Sequence, residues 1–196
     1  MPKFQSTKLF DGFSCVFRQW KAEGTHCRFL HGYGVSFRVW FEGELDERNW
    51  VWDFGGMKRA KGTIDGMNPK EWMDYTFDHT TIIAEDDPYR SYFHNMDKEG
   101  IIQLRLLPAV GAEQFAKYIF EKLNTFIQEE TSGRVRVARV EFMEHNKNTA
   151  IYEQVNSVLV EGGKDVPEGH YEKKEIEPQL KKILNNNTGI IWEYIN

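Results

Sequence analysis

Apolar and polar residues alternate along residues 13–20 (FSCVFRQW), with Phe13, Cys15 and Phe17 on one side. That is the two-residue period of a half-buried strand. The alternation is cleaner over residues 35–45 (VSFRVWFEGEL): Val35, Phe37, Val39 and Phe41 share one face, while Ser36, Arg38 and Trp40 share the other. The two segments are predicted to pair as a long hairpin, with residues 21–34 as a large irregular connection. Ordered loops of that size are often functional. The period then changes. Two glycines after Asp53 suit a helix entry, and NPKEWMDYTF (68–77) starts a helix at Pro69, a residue favoured in the first turn. Residues 110–130 carry Phe115, Tyr118, Ile119, Leu123 and Phe126 at helical spacing, which predicts a helix with one buried stripe. Alternation returns in RVRVARVEFME (134–144), valines against arginines, and TAIYEQVNSVLV (149–160) is its expected hairpin partner across HNKN.

The predicted order is strand, strand, helices, strand, strand, an α+β domain over residues 1–160. Beyond Val160 the chain turns polar, and a Pro- and Glu-rich connection leads to a short helix, PQLKKILNN. Residues 161–196 are therefore expected to extend the same domain. A chain of 196 residues can bury one proper core. Its net charge of -5 argues against nucleic acid as a partner, since backbone phosphates call for a basic surface. A local basic pocket for a phosphorylated small molecule stays open. No apolar run approaches the roughly 20 residues that cross a bilayer, and the N-terminus lacks a signal-like layout, so no membrane partner is expected. Two cysteines make no disulfide framework, which suits a reducing cytoplasm.

Four places could carry chemistry. Cys27 lies in the first connection among His26, Arg28 and His31. Neighbouring cations favour a reactive thiolate, although a free cysteine is equally at home as a small buried hydrophobe. Cys15, inside an apolar strand, reads as core. His31 and Tyr33 are two apart and share a face if the strand has begun there; one histidine alone is either a metal ligand or a hydrogen-bonded structural residue. Asp78 and His79 are adjacent in FDHTTI (77–82), and a carboxylate on an imidazole fixes its tautomer and raises its basicity. The pair cooperates only if the backbone turns between them; otherwise it is a helix-end aspartate and a surface histidine. Glu144 closes a strand, where a carboxylate can accept two parallel N–H bonds from a guanidine-like edge or stand solvated beside a turn.

Taken in chain order, CRFLHG, VWDFGGMK, FDHTTI, PAVGAEQFAKYIFEKL and EFMEHNKNTAIY resemble the 6-pyruvoyl-tetrahydropterin synthase / 6-carboxytetrahydropterin synthase family, from about residue 10 to 153. The resemblance implies the tunnelling fold, a four-stranded antiparallel sheet from two hairpins with helices packed on one face. It also implies a homo-oligomer, a trimer or hexamer, with active sites between subunits. Its substrate is a small-molecule pterin, 7,8-dihydroneopterin triphosphate, converted to 6-pyruvoyl-tetrahydropterin or 6-carboxytetrahydropterin on the way to 7-deazapurines such as queuosine. Carried over, Cys27 matches the catalytic cysteine, Asp78 and His79 the proton-transfer pair, and Glu144 the pterin anchor.

The family's cofactor is zinc, held by one histidine of the first strand and two of a His-Gly-His motif. Here those positions are Phe17, His31 and Tyr33, so His31 is the one matching metal ligand. A replacement is expected to come from one of three directions. Tyr33 and His31 with Cys15 or His26 can form a different metal site. Arg18, Lys21 or Arg28 can stabilise developing charge instead. Or the substrate needs less activation. The competing readings are a pterin- or purine-binding protein without turnover, and an aldolase-like activity on dephosphorylated dihydroneopterin.

Overall fold

The structure, a computed structural model, describes residues 3–59 and 62–154. In chain order its elements are β1 (Phe4–Phe17), a 3-10 turn (His26–Arg28), β2 (His31–Gly43), α1 (Gly56–Arg59), α2 (Pro69–Phe77), β3 (Thr80–Ala84), α3 (Arg90–Lys98), β4 (Leu104–Leu107), α4 (Ala112–Glu130), β5 (Val135–His145) and β6 (Asn148–Glu153). One sheet contains six strands in the order β4-β3-β1-β2-β5-β6. The expected α+β class and the two hairpins are present, but the expected four-stranded antiparallel sheet is only the β1-β2-β5-β6 part. β3 and β4 extend it to six, parallel to β1 and to each other, so the sheet is mixed. The reason the pattern hides β3 is physical: TTIIA is buried at all five positions. A strand covered on both faces shows no alternation to read.

Both strands of the first hairpin begin earlier than the periodicity suggests and also end earlier, at Phe17 rather than residue 20 and at Gly43 rather than residue 45. β1 starts at Phe4, and β2 starts at His31, so the irregular connection is shorter than residues 21–34. A bulge between Phe10 and Phe13, with Gly12 at φ 85°, inserts one residue into β1. It brings Phe10 into phase with Phe13, Cys15 and Phe17, all buried, and interrupts the even period that would have revealed the longer strand. A second bulge, opposite Trp40 and Phe41, lets both Val137 and Ala138 of β5 face inward.

α4 packs on the β5-β6 side of the sheet. Its buried stripe is Phe115, Ala116, Ile119, Phe120, Leu123, Phe126 and Ile127, as the helical spacing requires. α2 is fixed at its start by a reciprocal cap: Asn68 accepts from the Glu71 amide at 3.0 Å and the Glu71 carboxylate accepts from the Asn68 amide at 3.2 Å. Trp72, Met73 and Phe77 of α2 close the core beside Phe115 and Phe142. Between α2 and α3, Arg18 at the end of β1 pairs with the buried Asp87 at 2.9 Å, tying the two halves of the sheet's far edge.

Among the described residues no helix is long and apolar enough to cross a membrane. The expected last residues of the final strand, 155–160, and the expected extension over 161–196 with its short helix lie outside the described residues.

Candidate active site

β1 and β2 are in register Phe17 to His31 and Cys15 to Tyr33. Because β2 has begun at His31, residues 31 and 33 do share the face that carries Val35 and Phe37. Three side chains therefore converge where the hairpin meets the start of α4. Phe17 and His31 have ring centroids 4.8 Å apart, Phe17 and Tyr33 5.9 Å, and His31 and Tyr33 5.4 Å. Phe115 closes the cluster from α4, edge-on to Phe17 at 5.1 Å. The His31 Nδ1 lies 2.7 Å from the Phe29 carbonyl. A carbonyl can only accept, so Nδ1 carries the proton and Nε2 keeps its lone pair.

Glu144 reaches the same place from β5. The β5-β6 ladder slips between Met143 and His145, opposite the adjacent Asn148 and Thr149, so Glu144 is the inserted residue of a bulge. Bulges re-aim side chains, and this one is placed two residues past the buried Phe142. Partial burial pushes the Glu144 carboxyl up from its ordinary range; Glu113 adds to the rise, while His31, His145 and a hydrogen bond from the Asn148 side chain oppose it. Glu113 lies in the first turn of α4, and His145 packs its ring 5.5 Å from Tyr33. Neither residue stands out in the sequence. The only hint of His145 is its position beside Glu144 at a strand end, and Glu113 reads as an ordinary helix-start acid.

Tyr33 joins the cluster to Cys27. Its hydroxyl pKa is raised by partial desolvation first, then by the charges of Glu144 and of a Cys27 thiolate. Cys27 is half-buried in the 3-10 turn, whose amide is capped by Thr25 Oγ1 at 3.3 Å and whose carbonyl accepts from Gln19 at 2.8 Å. The other thiol differs. Cys15 is buried, and desolvation with the charge of Glu144 pushes it up to about 12, so it stays a neutral core thiol at physiological pH.

Asp78 ends α2 in extended conformation, and His79 follows at φ 54°. That left-handed residue supplies the turn on which cooperation of the pair depends. Nδ1 of His79 sits 2.9 Å from Asp78 Oδ1, with the histidine side chain 77% exposed. Adjacent residues of an extended chain point apart; these two face each other because the backbone is strained between them. A non-glycine residue at positive φ costs about 1 kcal/mol or more.

One chain does not bring this pair to Cys27. Thr80, next to His79, is opposite Cys15 on one side of β1, while Cys27 is bound to Gln19 and precedes β2 on the other side. At about 3.3 Å per residue, the five residues from Ser14 to Gln19 put the two places on the order of 15 Å apart.

The sequence profile of the family described as 6-pyruvoyl tetrahydropterin synthase matches residues 7–155, three quarters of the chain. The chain belongs to the 6-pyruvoyl tetrahydropterin synthase family. No curated protein matches it individually. Among solved structures, an uncharacterized protein from Wolinella succinogenes is similar with a TM-score of 0.62 and 23% identity over 79% of this chain and 100% of that one. The 6-pyruvoyl tetrahydropterin synthase of Caenorhabditis elegans follows with a TM-score of 0.52 and 19% identity over 79% and 98%. That of Plasmodium vivax gives 0.51 and 17% over 77% and 98%. At such identities the likeness is one of fold, and the 6-pyruvoyl tetrahydropterin synthase fold is what these structures share with the present chain.

The family uses zinc, and the residues of this member do not fit that ion at the three converging positions. Phe17 has no lone pair to offer. Tyr33 offers a phenol, which is not among the usual ligands of zinc. The thiol of Cys15 is held neutral by burial. Among the described residues no group of three or more histidine, cysteine or carboxylate side chains is arranged to hold a metal ion. Two of the three substitute cations expected from the sequence have carboxylate partners: Arg18 pairs with Asp87 and stacks on Tyr89, and Lys21 pairs with Asp86. Arg28 lies over the ring of Phe29 and keeps its charge available.

Proposed function

We propose that this family member is a pterin-acting lyase whose substrate is 7,8-dihydroneopterin triphosphate and whose product is a 6-carboxy- or 6-pyruvoyl-tetrahydropterin. The observation that supports this most is the Asp78–His79 pair. An exposed imidazole, oriented by a carboxylate on strained backbone, contributes nothing to packing, and strain of that kind collects where a side chain must be aimed. In this reading His79 moves a proton at Nε2, because Asp78 holds the opposite nitrogen protonated. Cys27 is the complementary proton-transfer group on the substrate side chain. Glu144 accepts the guanidine-like edge of the pterin ring through both carboxylate oxygens.

The separation of Cys27 from His79 within one chain supports an assembly of identical subunits in which the thiol of one meets the histidine of the next. Such an enzyme works as a trimer or a pair of trimers, in the cytoplasm. An equimolar mixture of Cys27→Ala and His79→Ala chains, each inactive alone, is then expected to recover part of the turnover when subunits exchange.

Glu144 sets a pH dependence. Its folded pKa is raised, so the protonated carboxyl persists above the ordinary carboxylate range. The anchor is competent only when ionised. Pterin affinity is therefore expected to rise with pH through the upper carboxylate range and then level off, and Glu144→Gln to weaken binding and remove that rise. Fluorescence titration of bound pterin measures both. A Glu144→Gln protein with unchanged affinity would exclude the anchor.

The decisive assay is product identification by mass spectrometry after incubation with dihydroneopterin triphosphate. A 6-carboxy or 6-pyruvoyl product supports the lyase. Pterin that binds and returns unchanged supports the binding-protein reading, which the loss of zinc ligands favours. Cleavage only of dephosphorylated dihydroneopterin identifies the aldolase-like activity.

A further inference from the structure

The place where three metal ligands would converge is intact as a shape and altered as chemistry. Phe17, His31 and Tyr33 still meet within 4.8–5.9 Å, centroid to centroid, on the same two paired strands. What they present is one buried phenyl, one imidazole with Nε2 as its lone-pair nitrogen and one phenol. The phenyl is fully buried and set edge-on against Phe115, so its position is filled by core. The phenol is different. Tyr33 is only partly buried; its ring lies 5.4 Å from that of His31 and 5.5 Å from that of His145, the neighbour of Glu144, on the strand entered from the turn that holds Cys27. Glu144 and Cys27 are the residues assigned above to the pterin ring and to its side chain, and the phenol belongs to the same site.

We propose that this chain holds no zinc at the converging rings and that the Tyr33 hydroxyl takes the ion's place, donating a hydrogen bond to the oxygen of the substrate side chain. The inference rests on the pterin reading for its second half; its first half concerns metal binding alone. A tyrosine phenol is an O–H donor as well as an acceptor. Donors aimed at developing oxyanions do much of the work a metal does, although without a full positive charge. No bond is made or broken at Tyr33: it keeps its proton while another passes between the substrate side chain and Cys27 or His79. The committed ion pairs of Arg18 and Lys21 point the same way, since each of these cations already has a carboxylate partner. His31, with Nδ1 facing the Phe29 carbonyl, then offers Nε2 as an acceptor to a hydroxyl of the same substrate side chain.

Two measurements separate the halves. In the first, the purified protein is titrated with zinc by calorimetry and its metal content is read by mass spectrometry after washing. The wild-type chain is expected to retain no stoichiometric zinc. The double variant Phe17→His with Tyr33→His, which restores three imidazoles, is expected to retain one ion per chain. Phe17 is fully buried, so Tyr33→His alone is run beside it; its position is partly open, and the new histidine together with His31 is expected to bind zinc more tightly than wild type. Stoichiometric zinc in the wild-type protein that disappears in His31→Ala overturns the proposal.

In the second, Tyr33→Phe keeps the ring contacts to Phe17, His31 and His145 and removes only the hydroxyl. It is expected to lower kcat about 100-fold with little change in KM, the effect of losing one donor to a developing oxyanion. Unchanged kcat overturns the role of Tyr33. A wild-type protein that turns over no pterin sinks the lyase reading instead, and the zinc titration still decides the metal half.

Discussion

Cys27→Ala is expected to lower turnover of dihydroneopterin triphosphate by about 10³-fold while leaving pterin affinity within a few-fold of wild type, the range for removing one general acid–base partner. The physical argument is one of position. Cys27 sits in a short turn held by the Thr25 cap and by the Gln19 amide, neither of which uses the thiol. Alanine therefore leaves the turn in place. The ring anchor belongs to another strand, β5, and to a bulge in its pairing with β6. Binding and chemistry are thus carried by separate elements, and the substitution separates them. Steady-state kinetics together with fluorescence binding distinguishes the outcomes. If turnover survives, the proton-transfer role belongs elsewhere; if binding is lost with it, Cys27 anchors substrate rather than moving a proton.

Phe37→Ala is expected to destabilise the chain by about 4 kcal/mol, as truncation of a fully enclosed aromatic ring does. Phe37 is at 0% exposure in the centre of β2. Its ring stacks with Phe10 at 5.3 Å and Phe13 at 5.4 Å, and reaches Phe77 of α2 at 5.8 Å and Phe142 of β5 at 6.4 Å. The residue joins both hairpins to the helix layer, and the flat rings around it cannot collapse into the space it leaves. At roughly 2–4 °C per kcal/mol for a domain of this size, Tm should fall by on the order of 10 °C. Tyr92→Ala, on an exposed side of α3, is the control and should stay within about 0.5 kcal/mol. A Phe37→Ala loss as small as that of Tyr92→Ala would show that the aromatic cluster is loosely packed.

The candidate site was legible in part. Asp78 and His79 could be named from the sequence, but whether they cooperate depended on a single φ angle at His79, which an adjacent pair of letters does not encode. His31 and Tyr33 could be placed on one face only once the start of β2 was known. Glu144 stood out as a strand-end carboxylate, yet its aim comes from the bulge, and the bulge is a property of the β5-β6 register. Glu113 and His145 were invisible because nothing local marks them; they matter through what lies across the sheet and at the head of α4. The metal question was the reverse case. The identities of Phe17 and Tyr33 already remove two donors, and the structure adds that the three rings nevertheless meet.

The amino-acid pattern by itself determined the two hairpins, the long helix with its single buried stripe, and the identity of the residues that can carry protons. Those are local properties: alternation, helical spacing and side-chain chemistry are written residue by residue. Only the tertiary structure decided that β3 and β4 join the sheet in parallel: β3 is buried on both faces and carries no alternation, and β4 is a four-residue edge strand too short to show a period. It alone also decided which of the proton carriers meet. Cys27 leads into β2 on one side of β1 and His79 leads into β3 on the other, and the physical reason is the sheet order, which puts β1 between those two strands.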